Sequence, residues 1–138
     1  MSERPLPRPT ELSRPHWDGC RAGVLRVQRC RSCRSYTFIP QPLCTTCHTG
    51  DLEWTTSRGE GAVYSFTVVH RAPHPSFATP YVVAIVALDE GFEMLANVAC
   101  DPSELAIGMR VRVAFRALSS EISLPYFVQA RSESPPAA

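Results

Sequence analysis

Cys30, Cys33, Cys44 and Cys47 form two C-x2-C pairs with ten residues between them, and no other feature of the 138-residue chain constrains its fold as tightly. A C-x2-C turn presents two sulfurs on one side of a tight loop. Two such loops facing each other supply the four thiolates, each about 2.3 Å from the ion, of a structural zinc site. Four protein ligands leave no coordination position for a substrate, so the spacing predicts a scaffold and argues against zinc catalysis. One zinc ion is expected, ahead of iron.

Six cysteines in all would also suit a disulfide framework, but the start of the sequence argues otherwise. It has no apolar run, carries Arg4, Arg8 and Arg14, and is broken by Pro5, Pro7, Pro9 and Pro15. It therefore does not read as a signal peptide, and without export disulfides are not expected. No stretch approaches the roughly 18 apolar residues of a membrane span, so the expected location is cytoplasmic. Cys20 and Cys100 fall outside the metal pattern and in no activating motif, which makes small buried or half-buried thiols of them.

Charge is unevenly spread. Residues 1–34 hold eight Arg against Glu3, Glu11 and Asp18, a net +5, whereas the remainder holds six Arg against ten acidic residues, a net −4. The basic end thus surrounds the metal pattern. Arg29, Arg31 and Arg34 either offset the formal −2 of a zinc tetrathiolate or meet a phosphate-bearing ligand. The chain has no Lys, which excludes Schiff-base chemistry.

Residues 1–14 are rich in Pro and Arg and read as a mobile arm, and residues 131–138 as a flexible tail. Between them the sequence divides into a metal-stapled unit over residues 15–58 and a larger strand-rich unit over residues 59–130. Pro15 to Gly23 reads as a short helix, Pro at its start and Gly at its end. Val24 to Arg29 alternates into the first cysteine pair, Tyr36 to Ile39 returns from it, and Leu52 to Thr56 leaves the second, which describes a zinc ribbon. Five longer strands follow, at Ala62 to His70, Tyr81 to Leu88, Phe92 to Val98, Arg110 to Ala117 and Leu124 to Ala130. Asp89-Glu90-Gly91 is a hairpin signal, and Asp101-Pro102-Ser103-Glu104 an N-capped helical turn after the third of these strands. That order predicts a five-stranded OB-fold barrel, so the fold class expected is mainly β: a helix and a four-cysteine ribbon, then the barrel. The barrel, with its own core, is expected to survive loss of the metal.

Several runs in order carry a family resemblance: Trp17-Asp18-Gly19, Leu25 through Cys33, Pro40-Gln41-Pro42-Leu43-Cys44, Gly61 through His70, Pro80 through Ala84, and Ile107 through Val111. Together they resemble the DUF35 family, a rubredoxin-like zinc ribbon followed by an acyl-CoA-associated OB-fold, over about residues 14–130. One departure stands at both knuckles. Arg34 and His48 occupy the position after the second cysteine, where Gly is common, and both must accept a tight, left-handed turn. The resemblance implies a non-catalytic accessory subunit of lipid metabolism. Such a subunit associates with a thiolase-like or hydratase-type acyl-CoA enzyme and helps form or bridge its site, with a CoA thioester as the shared ligand. Contact surfaces expected under that reading are the helix at Trp17 and the long loop from Arg71 to Pro80. There Arg71 would meet phosphate or carboxylate, Phe77 and Tyr81 would anchor, and His74 would accompany them.

Two other function classes fit the residues less well. Single-stranded nucleic-acid binding also uses OB-folds and zinc ribbons, but residues 62–130 carry four Arg against six acidic residues, a poor basis for a strand-binding groove. Intrinsic catalysis finds no nucleophile turn and no open metal triad. His70 closes a strand with a parity that would bury it, and neither it nor His74 reads as a general base.

Overall fold

From Tyr81 to Leu88 every second side chain, Val82, Ala84, Val86 and Leu88, is buried, while those between are half-buried. Such period-two burial belongs to a strand with a core on one face and neighbours on both edges. The computed structural model describes residues 4–130, so the tail at 131–138 and the first three residues of the arm lie outside the described residues. In chain order the elements are helix α1 (Arg14–Arg21), strands β1 (Leu25–Cys30), β2 (Tyr36–Thr37), β3 (Leu52–Ser57), β4 (Glu60–Val69), β5 (Tyr81–Leu88), β6 (Glu93–Val98), a 3-10 turn (Pro102–Glu104), β7 (Arg110–Ala117) and β8 (Ser123–Gln129).

Strands β2, β1 and β3 form an antiparallel sheet in that order, and β4-β5-β6-β8-β7 close into a barrel. Closure comes from β7 pairing with β4, Gly61 opposite Val111, and removes the open edges a five-stranded sheet would otherwise present. The mainly β architecture read from the sequence is the one observed. Gly61 is required where it stands, because a Cβ there would collide with the carbonyl of Ala87 on β5. At the 3-10 turn, Asp101 accepts hydrogen bonds from the Ser103 backbone N–H (2.9 Å) and hydroxyl (2.8 Å), as an N-cap should.

The two sheets share one core. Leu25 and Val27, on the inner face of β1, belong to the same buried cluster as Val63, Val86, Val111 and Phe127 of the barrel. Phe92, at the foot of β6, is stacked by Tyr36 (5.7 Å between ring centroids) and Phe38 (6.1 Å), so aromatic packing continues the junction. Helix α1 covers it from one side through buried His16, Gly19 and Cys20. A Cβ on Gly19 would stand 2.8 Å from the Val24 carbonyl oxygen, and only glycine lets the helix approach that closely. A separate barrel core is therefore replaced by a common one.

Three local expectations change. Strand β2 stops at Thr37, because the buried Gln28 side chain takes over the pairing beyond it: its Nε2 donates to Gln41 O (3.0 Å) and its Oε1 accepts from Gln41 N–H (2.8 Å). Pro40, which has no N–H, cannot extend a ladder. His70 lies beyond the end of β4 and is exposed, so its parity buries nothing. The helix begins and ends earlier, with Gly23 at φ 78° two residues past its end. Among the described residues no helix is long and apolar enough to cross a membrane.

Candidate metal centre and docking surface

Each cysteine pair builds the same knuckle. Cys30 N–H donates to Ser35 O (2.8 Å) and Arg34 N–H to Cys30 O (2.9 Å); Cys44 N–H donates to Thr49 O (2.8 Å) and His48 N–H to Cys44 O (3.0 Å). The turns demand left-handed backbone, and Arg34 (φ 64°) and His48 (φ 63°) adopt it, at the two positions where the sequence lacks the usual glycine. The knuckles face each other, and all four sulfurs lie within 4.8 Å of one another. Cys30 and Cys47 sulfurs are 3.6 Å apart and those of Cys33 and Cys44 3.5 Å. A tetrahedral zinc with bonds of about 2.3 Å needs sulfurs separated by about 3.8 Å, so the donor set fits that ion.

The surroundings favour thiolate at Cys30 and Cys33, whereas Cys47, beside those two sulfurs, is raised. The Cys33 backbone N–H and the Thr49 hydroxyl draw Cys30 down to about 6, and the Ser35 hydroxyl draws Cys33 down. Thr46 and Cys47 N–H groups point at the Cys44 sulfur from 3.3 and 3.5 Å. Asp51 ties the first knuckle to the chain leaving the second, accepting from Arg31 Nε (3.1 Å) and Ser32 Oγ (3.1 Å). Of the arginines read as neighbours of the metal, Arg31 is thus paired with a carboxylate, and Arg29 lies over the Tyr36 ring at 5.4 Å.

The residues expected at contact surfaces separate into two places. In the loop after β4, His74 Nδ1 lies 2.7 Å from the Ser76 hydroxyl and accepts from Ser76 N–H (3.1 Å). Phe77 meets His74 edge-on at 6.3 Å and Tyr81 at 5.9 Å, and Arg4 lies over its ring at 4.6 Å. Arg71 is exposed at the loop's start. Trp17 stands apart from this cluster, on α1. It lines a groove of 370 Å³ with Phe38, Ile39, Met94, Leu95 and Leu124, where helix, ribbon and barrel meet. Ile39 is 69% exposed and Leu95 68%, neither singled out in the sequence. Leu95 follows inward-facing Met94 on β6, so an apolar residue at an outward position was the signal for it.

The two cysteines outside the knuckles are not activated as nucleophiles. Cys20 sulfur lies 3.6 Å from His16 Nε2; burial pushes the thiol up to about 12 and holds the imidazole below its ordinary value. Cys100 is raised by burial and by the nearby Glu104 and Asp101. Neutral thiols are weak nucleophiles.

Residues 17–53 match the family model of the ChsH2 rubredoxin-like zinc ribbon domain, and residues 54–116 that of the ChsH2 C-terminal OB-fold domain. A DUF35 domain-containing scaffold protein of Methanocaldococcus jannaschii is 33% identical over 105 residues, 74% of this chain and 72% of that protein. The chain belongs to the DUF35 family. Within the DUF35 family a solved structure described as an Ltp2-ChsH2(DUF35) aldolase matches with a TM-score of 0.80 and 33% identity, over 89% of this chain and 98% of that one. A probable enoyl-CoA hydratase alpha subunit of Thermomonospora curvata is 39% identical over 104 residues. The match takes in 75% of this chain and 33% of that protein, so the chain spans about a third of the length of the curated hydratase subunits it resembles.

Proposed function

We propose that the chain is a non-catalytic accessory subunit that docks on an acyl-CoA-metabolising enzyme, thiolase-like or hydratase-type, and helps form or bridge its acyl-CoA site. One observation carries the reading: the solvent-open apolar groove at the junction, with Trp17 in its wall and Ile39 and Leu95 at its rim. Contiguous exposed apolar surface marks interaction sites, and Trp is enriched among the residues that dominate interface energetics. The relatives support the partner class, since they are named as hydratase subunits, scaffold proteins and an aldolase. In this reading Cys30, Cys33, Cys44 and Cys47 hold one structural zinc, which fixes the ribbon wall of the groove. The loop bearing Arg71, His74, Phe77 and Tyr81 is a second contact, toward a shared CoA thioester.

Affinity purification of the tagged chain from its own source, followed by mass spectrometry, tests this. An acyl-CoA enzyme is expected in stoichiometric amount, and Trp17→Ala is expected to weaken that complex by about 2 kcal/mol, roughly thirtyfold. A chain that captures no such enzyme, or that alone turns over acyl-CoA esters, contradicts the reading.

A further inference from the structure

A second opening lies in the barrel wall itself. Strands β6 and β8 run parallel and pair at a single position, Val98 opposite Phe127, so the wall splays on either side of it. The gap is a cleft of about 260 Å³ whose apolar lining includes Val82, Leu124 and Tyr126, with Tyr81 at its edge. Two guanidiniums line it from opposite parts of the chain, Arg116 from β7 and Arg4 from the Pro-rich segment before α1. Each lies over a ring, Arg116 over Tyr126 at 5.2 Å and Arg4 over Phe77 at 4.6 Å. Stacking occupies the face of a guanidinium and leaves its N–H edge free to donate. Among the described residues neither Arg4 nor Arg116 is paired with a carboxylate. Acidic residues near the cleft include Asp101 and Glu104 beside Cys100, where the Asp101 carboxylate is engaged by Ser103 in the 3-10 turn, while Asp18 and Glu121 line the neighbouring hollow that Arg4 also borders.

We propose that this cleft binds a phosphate monoester carrying a short apolar stem, with Arg116 as the fixed half of the anion site and Arg4 closing it from the N-terminal segment. The charges match: two guanidiniums face a group that carries about −1.5 to −2 at neutral pH, and forked N–H pairs suit phosphate oxygens. The size sets the stem. The cleft lies near the lower end of the roughly 300–1,000 Å³ typical of ligand sites, enough for a ring or short chain beside the phosphate. Cys100 also lines the cleft, but its thiol is held protonated, first by burial and then by Glu104 and Asp101, so the site binds without covalent chemistry. The cleft shares Leu124 with the junction groove and Tyr81 with the loop read above as a CoA contact, but its test needs only the isolated chain and so succeeds or fails independently of docking on an enzyme.

The test is calorimetric titration of the isolated, zinc-loaded chain with phenyl phosphate, with Arg116→Gln, Arg4→Gln and phenol as controls. Saturable binding is expected, weakened about tenfold or more by either substitution, with phenol not binding. Unchanged circular dichroism of both variants will show that the fold is intact. Competition then identifies the source of the phosphate. Displacement by CoA but not by dephospho-CoA, which lacks the monoester, ties the cleft to a CoA ligand. Displacement by neither supports the site and assigns it to a free phosphorylated metabolite. No saturation below about 1 mM, equal affinity in both variants, equal binding of phenol, or equal displacement by dephospho-CoA overturns the proposal.

Discussion

In the barrel, every strand is paired on both sides, and Val86, Val111 and Phe127 at its centre are wholly buried. In the ribbon, β2 is two residues long and the knuckles are joined chiefly by four sulfurs and Asp51. One region closes by backbone pairing and apolar burial alone, whereas the other pairs β1 with β3 over six positions and holds its knuckles together through the metal ligands. Yet β1, the central ribbon strand, contributes Leu25 and Val27 to the barrel's own cluster, and Tyr36 and Phe38 stack on its Phe92. The metal site thus acts at a distance: it orders a strand whose far face completes the neighbouring core.

The sharpest way to break this comparison is to remove the ion. Structural zinc in small modules contributes about 10–16 kcal/mol, so Cys30→Ser is expected to lose the metal and unfold the ribbon. Because Leu25 and Val27 then leave the common core, hydrogen exchange should also accelerate across β4 to β8. Exchange in the barrel at the rate of the parent chain would show the two regions to be independent. Next in size is Leu25→Ala, buried to 1% exposure, for which a loss of about 2–5 kcal/mol is expected. Urea unfolding followed by tryptophan fluorescence, which reports Trp17 on α1 and Trp54 in the ribbon, and by far-ultraviolet circular dichroism should shift together; separate transitions would again divide the molecule. Gly61→Ala confines the insult to the barrel, since its new methyl meets the Ala87 carbonyl, and should cost about 1–3 kcal/mol by thermal denaturation while leaving zinc content at the parent level.

The smallest effect belongs to the helix that spans both regions. Burial holds His16 below the ordinary imidazole value, so the folded chain keeps it neutral where the unfolded chain takes up a proton. Its contribution is therefore complete above about pH 6.5 and is lost as pH falls through that value toward the folded one, with a slope of at most about 1.4 kcal/mol per pH unit. Denaturation midpoints between pH 7 and pH 5 should show that slope in the parent and not in His16→Gln, allowing for the flanks at about one unit each.

Much of the scaffold could be read from residues alone because its signals are local. A C-x2-C turn needs only four residues, and the alternation from Tyr81 to Leu88 declares its own buried face. What escaped is set by partners distant in sequence. Leu25 and Val27 read as the apolar side of a strand, but nothing in their spacing says that the side faces the barrel. Gln28 looks like an outward polar residue, and only the fold shows its amide standing in for a missing ladder partner at Gln41. The helix and the loop expected as contact surfaces carry no sign in their spacing of where they lie: α1 takes Trp17 to the junction, and the loop gathers His74, Phe77 and Tyr81 around one another. Ile39, two residues past β2, and Leu95 on β6 acquire meaning only when the fold brings them to one groove.

The central claim is that the junction of helix, ribbon and barrel is the docking face for an acyl-CoA enzyme. Hydrogen exchange of the zinc-loaded chain, alone and with the enzyme that co-purifies with it, tests this directly. Protection on binding is expected around Ser13, His16 and Trp17, at residues 38–40 and at residues 94–97, which line the groove. Protection confined to the outer face of β4, around Tyr64, or none at the groove, would contradict it.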